Sequence, residues 1–329
     1  MNTKLNEVMS NSSRIAIFTH TTPDADALCS AFALKNIIRN NYDYKFVDVF
    51  LDGEIGELYN PVIRSETYNL IPYSSYDVAF VLDSPSIERI GEKNSEILKK
   101  ASFVVNLDHH ETNTRFGDLN IVTTKVSSTC ELLYILAQVQ NLEINNLIAK
   151  QLYQGIITDT NCFSSLTTTS KTYKVVSELM NYKFDPNVIK EYYFKNNSMA
   201  KTKLLSKALS SMKFYKGELF TTMKIPYDTF EKVGATFEDT MGIIDNGINI
   251  NGTEIGAIII EKMPGEFYCS LRSKGQINVG EIAKEFGGGG SETTAAFQVT
   301  GDIKEIEKKL IDVVMPKLEN IEPPEEITF

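Results

Sequence analysis

Asn106-Leu107-Asp108-His109-His110 closes the apolar run Ala101–Val105. The chain has three histidines in 329 residues, and two of them stand together here. The third, His20, follows the apolar run Ile15–Phe18 and opens His20-Thr21-Thr22-Pro23-Asp24-Ala25-Asp26. A further apolar run, Val78–Leu82, ends at Asp83. Each of these short runs delivers an Asp or a His at its C-terminal end. Open parallel α/β sheets bind ligands along that edge. A lone histidine is most often core packing. Two adjacent histidines beside an acid at a strand end make a poor core and a good metal cluster.

The surrounding chain supports a sheet. Ile15–Thr19, Lys45–Leu51, Val78–Asp83 and Ala101–Leu107 read as strands. Asp26–Asn40, Ser86–Lys100, Ser128–Gln140, Asn145–Ile157 and Lys171–Asn181 read as helices. Short apolar strands alternating with helices predict an α/β fold with a mostly parallel sheet flanked by helices. The helix at Asn145–Ile157 runs into Thr158-Asp159-Thr160, another acid at the end of an element. Residues 185–213 are polar and read as a helical connector. Beyond it, Glu218–Ile225, Glu254–Glu261 and Glu266–Arg272 read as strands, the last two joined by the turn Met263-Pro264-Gly265. A short helix at Val279–Phe286, the run Gly287-Gly288-Gly289-Gly290 and an amphipathic helix at Asp302–Met315 follow, with Pro316 marking the end. The expected division is residues 1–184, a connector at 185–213, and a smaller α/β domain with a mixed sheet at 214–329. Ile321–Phe329 reads as a frayed tail.

Composition narrows the function. The chain is 42% hydrophobic and 23% charged, as in ordinary soluble domains. Its apolar stretches are too short to span a membrane, and Met1–Ser13 is too polar for a signal core. Four scattered cysteines, Cys29, Cys130, Cys162 and Cys269, predict reduced thiols in a cytoplasm. A net charge of −10 argues against binding long nucleic acid through bulk electrostatics.

His20, Asp24, Asp26, Asp83, His109 and Asp159 form a set of four carboxylates and two imidazoles. Hard oxygen and imidazole donors without thiolate suit manganese or magnesium better than structural zinc. Six such residues suit two ions sharing a carboxylate. Two ions about 3.5–4 Å apart clamp a phosphoryl group and generate hydroxide for in-line attack. The chain has no G-x-x-x-x-G-K-[ST] loop and no G-x-G-x-x-G after the first strand, which argues against nucleotide triphosphatase and dinucleotide-cofactor chemistry.

His20-x-x-x-Asp24-x-Asp26, Asp83, Asp108-His109-His110 and Asp159 resemble, in order, the four motifs of the DHH phosphoesterase superfamily. Ser270-Leu271-Arg272-Ser273-Lys274, Asn278-Val279 and Phe286 through Gly290 resemble the DHH-associated C-terminal domain. The resemblance covers nearly the whole chain and is strongest to the nanoRNase and pAp-phosphatase subgroup. It implies hydrolysis of short oligoribonucleotides, linear or cyclic dinucleotides, or 3′-phosphoadenosine 5′-phosphate. It implies two Mn2+ ions, with Mg2+ as the alternative. One ion would be held by His20, Asp24 and Asp83, the other by Asp26, Asp83, His109 and Asp159, with Asp83 bridging. Asp108 would orient the cluster, and His110 would face the scissile phosphate. Arg272, Gly287, Gly288, Gly289, Gly290 and Ser291 would hold the substrate.

The chain departs from the family in two places. Ser291 follows the glycines where a histidine is usual, so a neutral hydroxyl replaces a group that can carry charge. Ala25 stands where glycine is common. A manganese-dependent pyrophosphatase shares the N-terminal motifs, but it is expected to carry an Arg and Lys cluster rather than a glycine loop. A nucleotide-binding protein without catalysis is the remaining alternative, and retention of all six ligand residues weighs against it. The expected partner is a short RNA or nucleotide, not long nucleic acid or a membrane; a homodimer is left open.

Overall fold

The computed structural model describes residues 2–319 and Ile321. It divides into two compact units, one ending at Asn196 and the other beginning at Asn197. The first unit runs α1 (Asn2–Asn11), β1 (Arg14–Phe18), α2 (Ala25–Asn41), β2 (Phe46–Phe50), α3 (Asn60–Ile63), β3 (Val78–Leu82) and α4 (Glu92–Leu98). It continues with β4 (Val104–Asp108), β5 (Leu119–Val122), α5 (Thr129–Val139), α6 (Asn146–Asp159), α7 (Ser170–Leu179) and α8 (Pro186–Phe194).

Its five strands form one parallel sheet in the order β2-β1-β3-β4-β5. β1 and β3 are neighbours, yet the chain leaves them in opposite directions across the sheet. That reversal opens a crevice at their C-terminal ends, where α/β sheets place ligands. The central strands bury both faces. Ile15, Ile17, Phe80 and Leu82 pack on one side with α2, α5 and α6, while Ala16, Phe18, Ala79 and Val81 pack on the other with Tyr76, Ile90 and Leu98. Strands covered on both faces read as continuous apolar runs, which is how they are written in this sequence.

The unit departs from the expected elements in places, the edge strand β5 being one that was not expected from the sequence. The helix expected at Ser86–Lys100 is instead a 3-10 turn at Ile87–Ile90 followed by α4. Gly91 separates them at φ +89°, and a Cβ there would lie 2.3 Å from the Asp52 Oδ2. The polar N-terminus is helical in α1, whose Leu5 and Met9 join the core.

The second unit contains α9 (Met199–Ser210), β6 (Lys213–Tyr215), β7 (Phe220–Ile225), α10 (Tyr227–Val233), α11 (Asp245–Ile248), β8 (Ile255–Met263) and β9 (Glu266–Ser273). α12 (Val279–Glu285), β10 (Gly289–Gly290), β11 (Thr294–Thr300) and α13 (Ile303–Lys317) complete it. The sheet order is β10-β11-β9-β8-β7-β6, and β7 with β8 is its parallel pair, so the sheet is mixed. β11 was not expected from the sequence; Ala295 and Phe297 face the core from it. α13 runs one residue past Pro316, placing the proline in its last turn. The connector stretch holds two helices. α8 packs on the first unit's core through Ile189, and α9 packs in the second unit through Leu204 and Ala208. Residues 322–329 of the expected tail lie outside the described residues. No helix among the described residues is long and apolar enough to cross a membrane.

Candidate metal centre

The crevice at the ends of β1 and β3 collects the histidines and acids. His20 leaves β1 and is buried. Asp24 caps α2, its carboxylate accepting the Ala27 N–H at 3.0 Å, and Asp26 follows in the first helical turn, buried. Asp83 comes directly after β3. Its own N–H still donates to Leu107 O at 3.0 Å, but its φ of +54° turns the chain sharply away from the sheet. Aspartate tolerates this left-handed region better than most residues.

Asp83 lies at the middle of the group. Its Oδ2 is 3.8 Å from His20 Nε2, and its Oδ1 is 3.4 Å from His109 Nε2. His109 Nε2 is also 3.7 Å from Asp159 Oδ2, at the end of α6. Two triads have ligand atoms all within 4.8 Å of one another: His20, Asp24 and Asp83, and Asp26, His109 and Asp159. Asp83, His109 and His110 form a third such group. The structure thus brings together all six residues singled out in the sequence.

Asp108 is differently engaged. It is fully buried; its Oδ1 accepts from His110 Nδ1 at 2.7 Å and its Oδ2 from Asn113 Nδ2 at 2.6 Å. Asn113 Nδ2 also contacts Asn106 Oδ1 at 2.8 Å, and Asn106 in turn donates to the Val81 and Ser84 carbonyls. Asp108 therefore holds the ring of His110, whose side chain is 40% exposed.

In the second unit, Arg272 is half-buried. Its Nη1 donates to Ser270 Oγ at 3.2 Å and to Leu271 O at 3.1 Å, and its Nε is 3.9 Å from Asp245 Oδ1. The glycine run is not a loose connection. Gly289 and Gly290 pair with Ala296 and Ala295. A Cβ on Gly288 would fall 2.2 Å from Ala296 O, and one on Gly290 2.3 Å from Thr294 O. Gly287 lies just before them at φ +78°. Ser291 turns the hairpin: its hydroxyl donates to Thr294 O at 3.3 Å and accepts the Thr294 N–H at 3.1 Å.

A model of the DHH family's N-terminal domain matches residues 14–157, and one of the DHHA1 domain matches residues 223–315. The chain is 30% identical to a probable bifunctional oligoribonuclease and PAP phosphatase of Streptococcus mutans, over 84% of this chain and 86% of that one. The chain belongs to the DHH family. It is also 27% identical to a cyclic-di-AMP phosphodiesterase of Listeria monocytogenes, over 94% of this chain and 48% of that protein. A solved exopolyphosphatase-related protein from Bacteroides fragilis shares the fold with a TM-score of 0.86 at 23% identity, over 97% of this chain and 95% of that one. As a member of the DHH family the chain is a hydrolase.

The electrostatics of this DHH centre call for cations. Among the described residues, no lysine or arginine forms an ion pair with Asp24, Asp26, Asp83 or Asp159. Burial pushes the Asp26 carboxyl up to about 7, and the charge of Asp83 adds to the effect. Burial and Asp26 likewise hold Asp159 well above the usual carboxylate range. Burial opposes charge on Asp83 too, but hydrogen bonding to His109 and His20 outweighs it and holds that carboxyl low. Burial also opposes charge on His109, yet Asp83 and Asp159 raise its ring to about 10. Crowded carboxylates need positive charge beside them. Protons supply part of it here, and the donor set of oxygen and imidazole fits divalent ions that would supply the rest.

Sequence reasoning did not single out three groups that touch this centre. Thr129 and Cys130, in the first turn of α5, direct their N–H groups at Asp26 at 2.7 and 3.0 Å. Asn113 holds Asp108. Gly155, on α6, is the third: a Cβ there would lie 2.6 Å from Asp26 Oδ1 and 2.3 Å from Cys130 Sγ. A Ser/Thr cluster before an apolar run, as in Ser127-Ser128-Thr129, is a readable helix start. Nothing local in it points to Asp26.

Proposed function

We propose that this chain is a manganese-dependent phosphoesterase acting on short oligoribonucleotides, linear or cyclic dinucleotides, or 3′-phosphoadenosine 5′-phosphate. The observation that carries this reading is the pair of ligand triads joined through Asp83, whose two oxygens face different histidines. The named activities of the similar Streptococcus mutans and Listeria monocytogenes proteins support the substrate class. His20, Asp24 and Asp83 would hold one ion, and Asp26, His109 and Asp159 with Asp83 the other. Bound there, the ions would activate water for in-line attack and offset phosphate charge.

The chain's own groups have separate tasks in this reading. Asp83 keeps the two histidines at a set spacing. Asp108, itself held by Asn113, accepts from Nδ1 of His110 and so leaves Nε2 as the ring nitrogen available to substrate. Burial opposes charge on His110, but Asp108 and Asp83 raise its ring above the usual value. His110 can therefore hold a proton beside the scissile phosphate and give it to the departing oxygen. Arg272 and the run Gly287–Gly290 are assigned to the substrate's other phosphate or its sugar. Ser291 spends its hydroxyl on the hairpin, so its part is to shape the loop. Catalysis is assigned to residues 1–184 and substrate holding to 214–329. The four unpaired cysteines support a reducing, cytoplasmic setting.

The test is a panel of 3′-phosphoadenosine 5′-phosphate, the dinucleotide pApA, a five-nucleotide RNA, cyclic di-AMP and pyrophosphate. Chelated, dialysed protein is assayed before and after adding Mn2+, Mg2+ or Ca2+. The expected outcome is turnover of at least one nucleotide, absent after chelation and restored by Mn2+ better than by Ca2+. Full activity in excess chelator would remove the metal reading. Turnover confined to pyrophosphate would make the chain a pyrophosphatase.

A further inference from the structure

The first turn of α5 does more than start a helix. Helix N-termini leave N–H groups without intrahelical partners. In α5 those groups are divided. Ser128 caps in the ordinary way, its hydroxyl accepting the Glu131 N–H at 3.0 Å. The N–H groups of Thr129 and Cys130 go instead to a side chain from another helix: they meet Asp26 Oδ2 at 2.7 Å and Oδ1 at 3.0 Å. A buried carboxylate is thus gripped on both oxygens by rigid backbone.

Thr129 has a second connection. Its hydroxyl donates to Asp83 Oδ1 at 3.0 Å, and the whole residue is buried. A threonine hydroxyl in a helix commonly bonds a carbonyl of its own preceding turn. Here it points to an acid on the loop after β3. One residue therefore ties an aspartate from α2 to an aspartate from the central sheet. These two like-charged groups repel when ionised, and each belongs to a different ligand triad.

We propose that Thr129 is a positioning residue that sets the spacing between Asp26 and Asp83, and through them between the two metal sites. This rests on the metal reading given above. The backbone N–H orients Asp26, and the hydroxyl fixes the rotation of Asp83 about its side chain. A carboxylate oxygen that accepts from a hydroxyl retains lone-pair capacity for an ion. The two ligand sets are then arranged before an ion enters. Hydrogen-bonding partners of metal ligands commonly contribute about 10–100-fold to metal affinity.

Two substitutions separate the hydroxyl from the volume and the backbone. Thr129→Val removes the hydroxyl and keeps the branched shape and the N–H. Thr129→Ser keeps the hydroxyl and loses a methyl group. Mn2+ is titrated calorimetrically into chelated, dialysed protein, and circular dichroism reports folding. The expected result is that the valine variant weakens at least one of two ions by about 10–100-fold. The serine variant should stay within about threefold of the parent. If the valine variant does not fold, Thr129→Ala carries the same expectation. Parent-like binding of both ions by a folded variant lacking the hydroxyl would overturn the proposal. So would a serine variant as weak as the valine one, because packing would then be the cause. A parent protein that binds no divalent ion would overturn the metal reading itself. A parent that binds two ions, beside an unaffected valine variant, would overturn the role of Thr129 alone.

Discussion

Replacing Gly155 with alanine tests how tightly α6 is pressed against the candidate centre. The added Cβ would sit 2.6 Å from Asp26 Oδ1, 2.3 Å from Cys130 Sγ and 2.9 Å from Cys130 Cβ. Ordinary contact begins near 3.4 Å, so Asp26 or α6 must retreat by about 0.8 Å and Cys130 by more. Two of these atoms end their side chains, but both side chains are buried and have little room to turn away. Asp26 is held by two N–H groups, and Cys130 belongs to the helix that provides them. Overpacking of this kind costs about 1–3 kcal/mol. Alanine in a helix interior returns up to about 1 kcal/mol relative to glycine. The net loss of stability is then about 0–3 kcal/mol, a fall in melting temperature of no more than about 12 °C for a domain of this size. The functional loss should be larger. Misplacing one ligand by nearly an ångström should weaken Mn2+ by roughly 10–10²-fold and cut kcat/KM by about 10²-fold. Scanning calorimetry of the chelated protein, Mn2+ titration and turnover of pApA measure the three effects on one preparation. A Gly155→Ala variant with parental metal affinity and turnover would refute the inference that α6 sets the position of Asp26.

Three further outcomes are expected. Asp83→Ala should leave well under two equivalents of metal on the folded protein and reduce turnover more than Asp24→Ala does, since Asp83 alone faces both histidines; metal analysis with turnover decides it. Arg272→Ala should leave metal content and folding intact but lower kcat/KM on dinucleotides by roughly 10–10³-fold, with little change on bis-p-nitrophenyl phosphate, because a charge-assisted contact is lost only where the substrate has a second group to offer; equal losses on both would show that Arg272 does not read the substrate. The chelated protein should become less stable between pH 5 and pH 9, followed by thermal melting. Asp26 is raised from 3.8 to about 7 and His109 from 6.5 to about 10, so each contributes stability that is fully present below its unfolded value and lost as pH rises through its folded one. Saturating Mn2+ should flatten that decline, since ions replace the protons; a chelated protein whose melting temperature rises over the same range would contradict the assigned shifts.

Much of this centre is legible in the sequence for a physical reason. A parallel sheet repeats one arrangement, a buried strand ending in a loop. An apolar run followed by an acid or a histidine therefore reports both the strand and the location of its last side chain. His20, Asp83 and His109 are read in this way. Asp24 and Asp26 follow from the spacing His20-x-x-x-Asp24-x-Asp26 just after the first strand, whereas Asp24's place as the cap of α2 emerges only from the structure. The second unit is less open to such reading. Ala295, Phe297 and Val299 do alternate along β11, but the glycine run before them reads as a substrate-holding loop and not as the edge of a hairpin. The strand that gives those glycines their purpose is thereby hidden.

What the sequence conceals is the contribution of atoms that every residue carries. The grip on Asp26 comes from backbone N–H groups, and no residue type announces which N–H will be left free for a carboxylate 103 positions away. Gly155 is similar. As a glycine inside a helix it reads only as a weakness of about 1 kcal/mol. Its role follows from the approach of α6 to α2 and α5, where even one methyl group meets Asp26 and Cys130. Ser291 reverses the case: the residue type suggests a phosphate contact, but its hydroxyl is spent on the Thr294 backbone. If the loop holds phosphate, a histidine at position 291 would keep the backbone bond from its N–H to Thr294 O, 2.7 Å long with serine, but would give up the side-chain bonds to Thr294 to gain a charge. Ser291→His should therefore raise turnover of 3′-phosphoadenosine 5′-phosphate only if the hairpin between β10 and β11 keeps its pairing without the serine. Amide exchange at Thr294 and the ratio of kcat/KM on that substrate to kcat/KM on pApA report the two halves of the trade. An increased ratio with unprotected Thr294 would show that the hairpin is dispensable for phosphate binding.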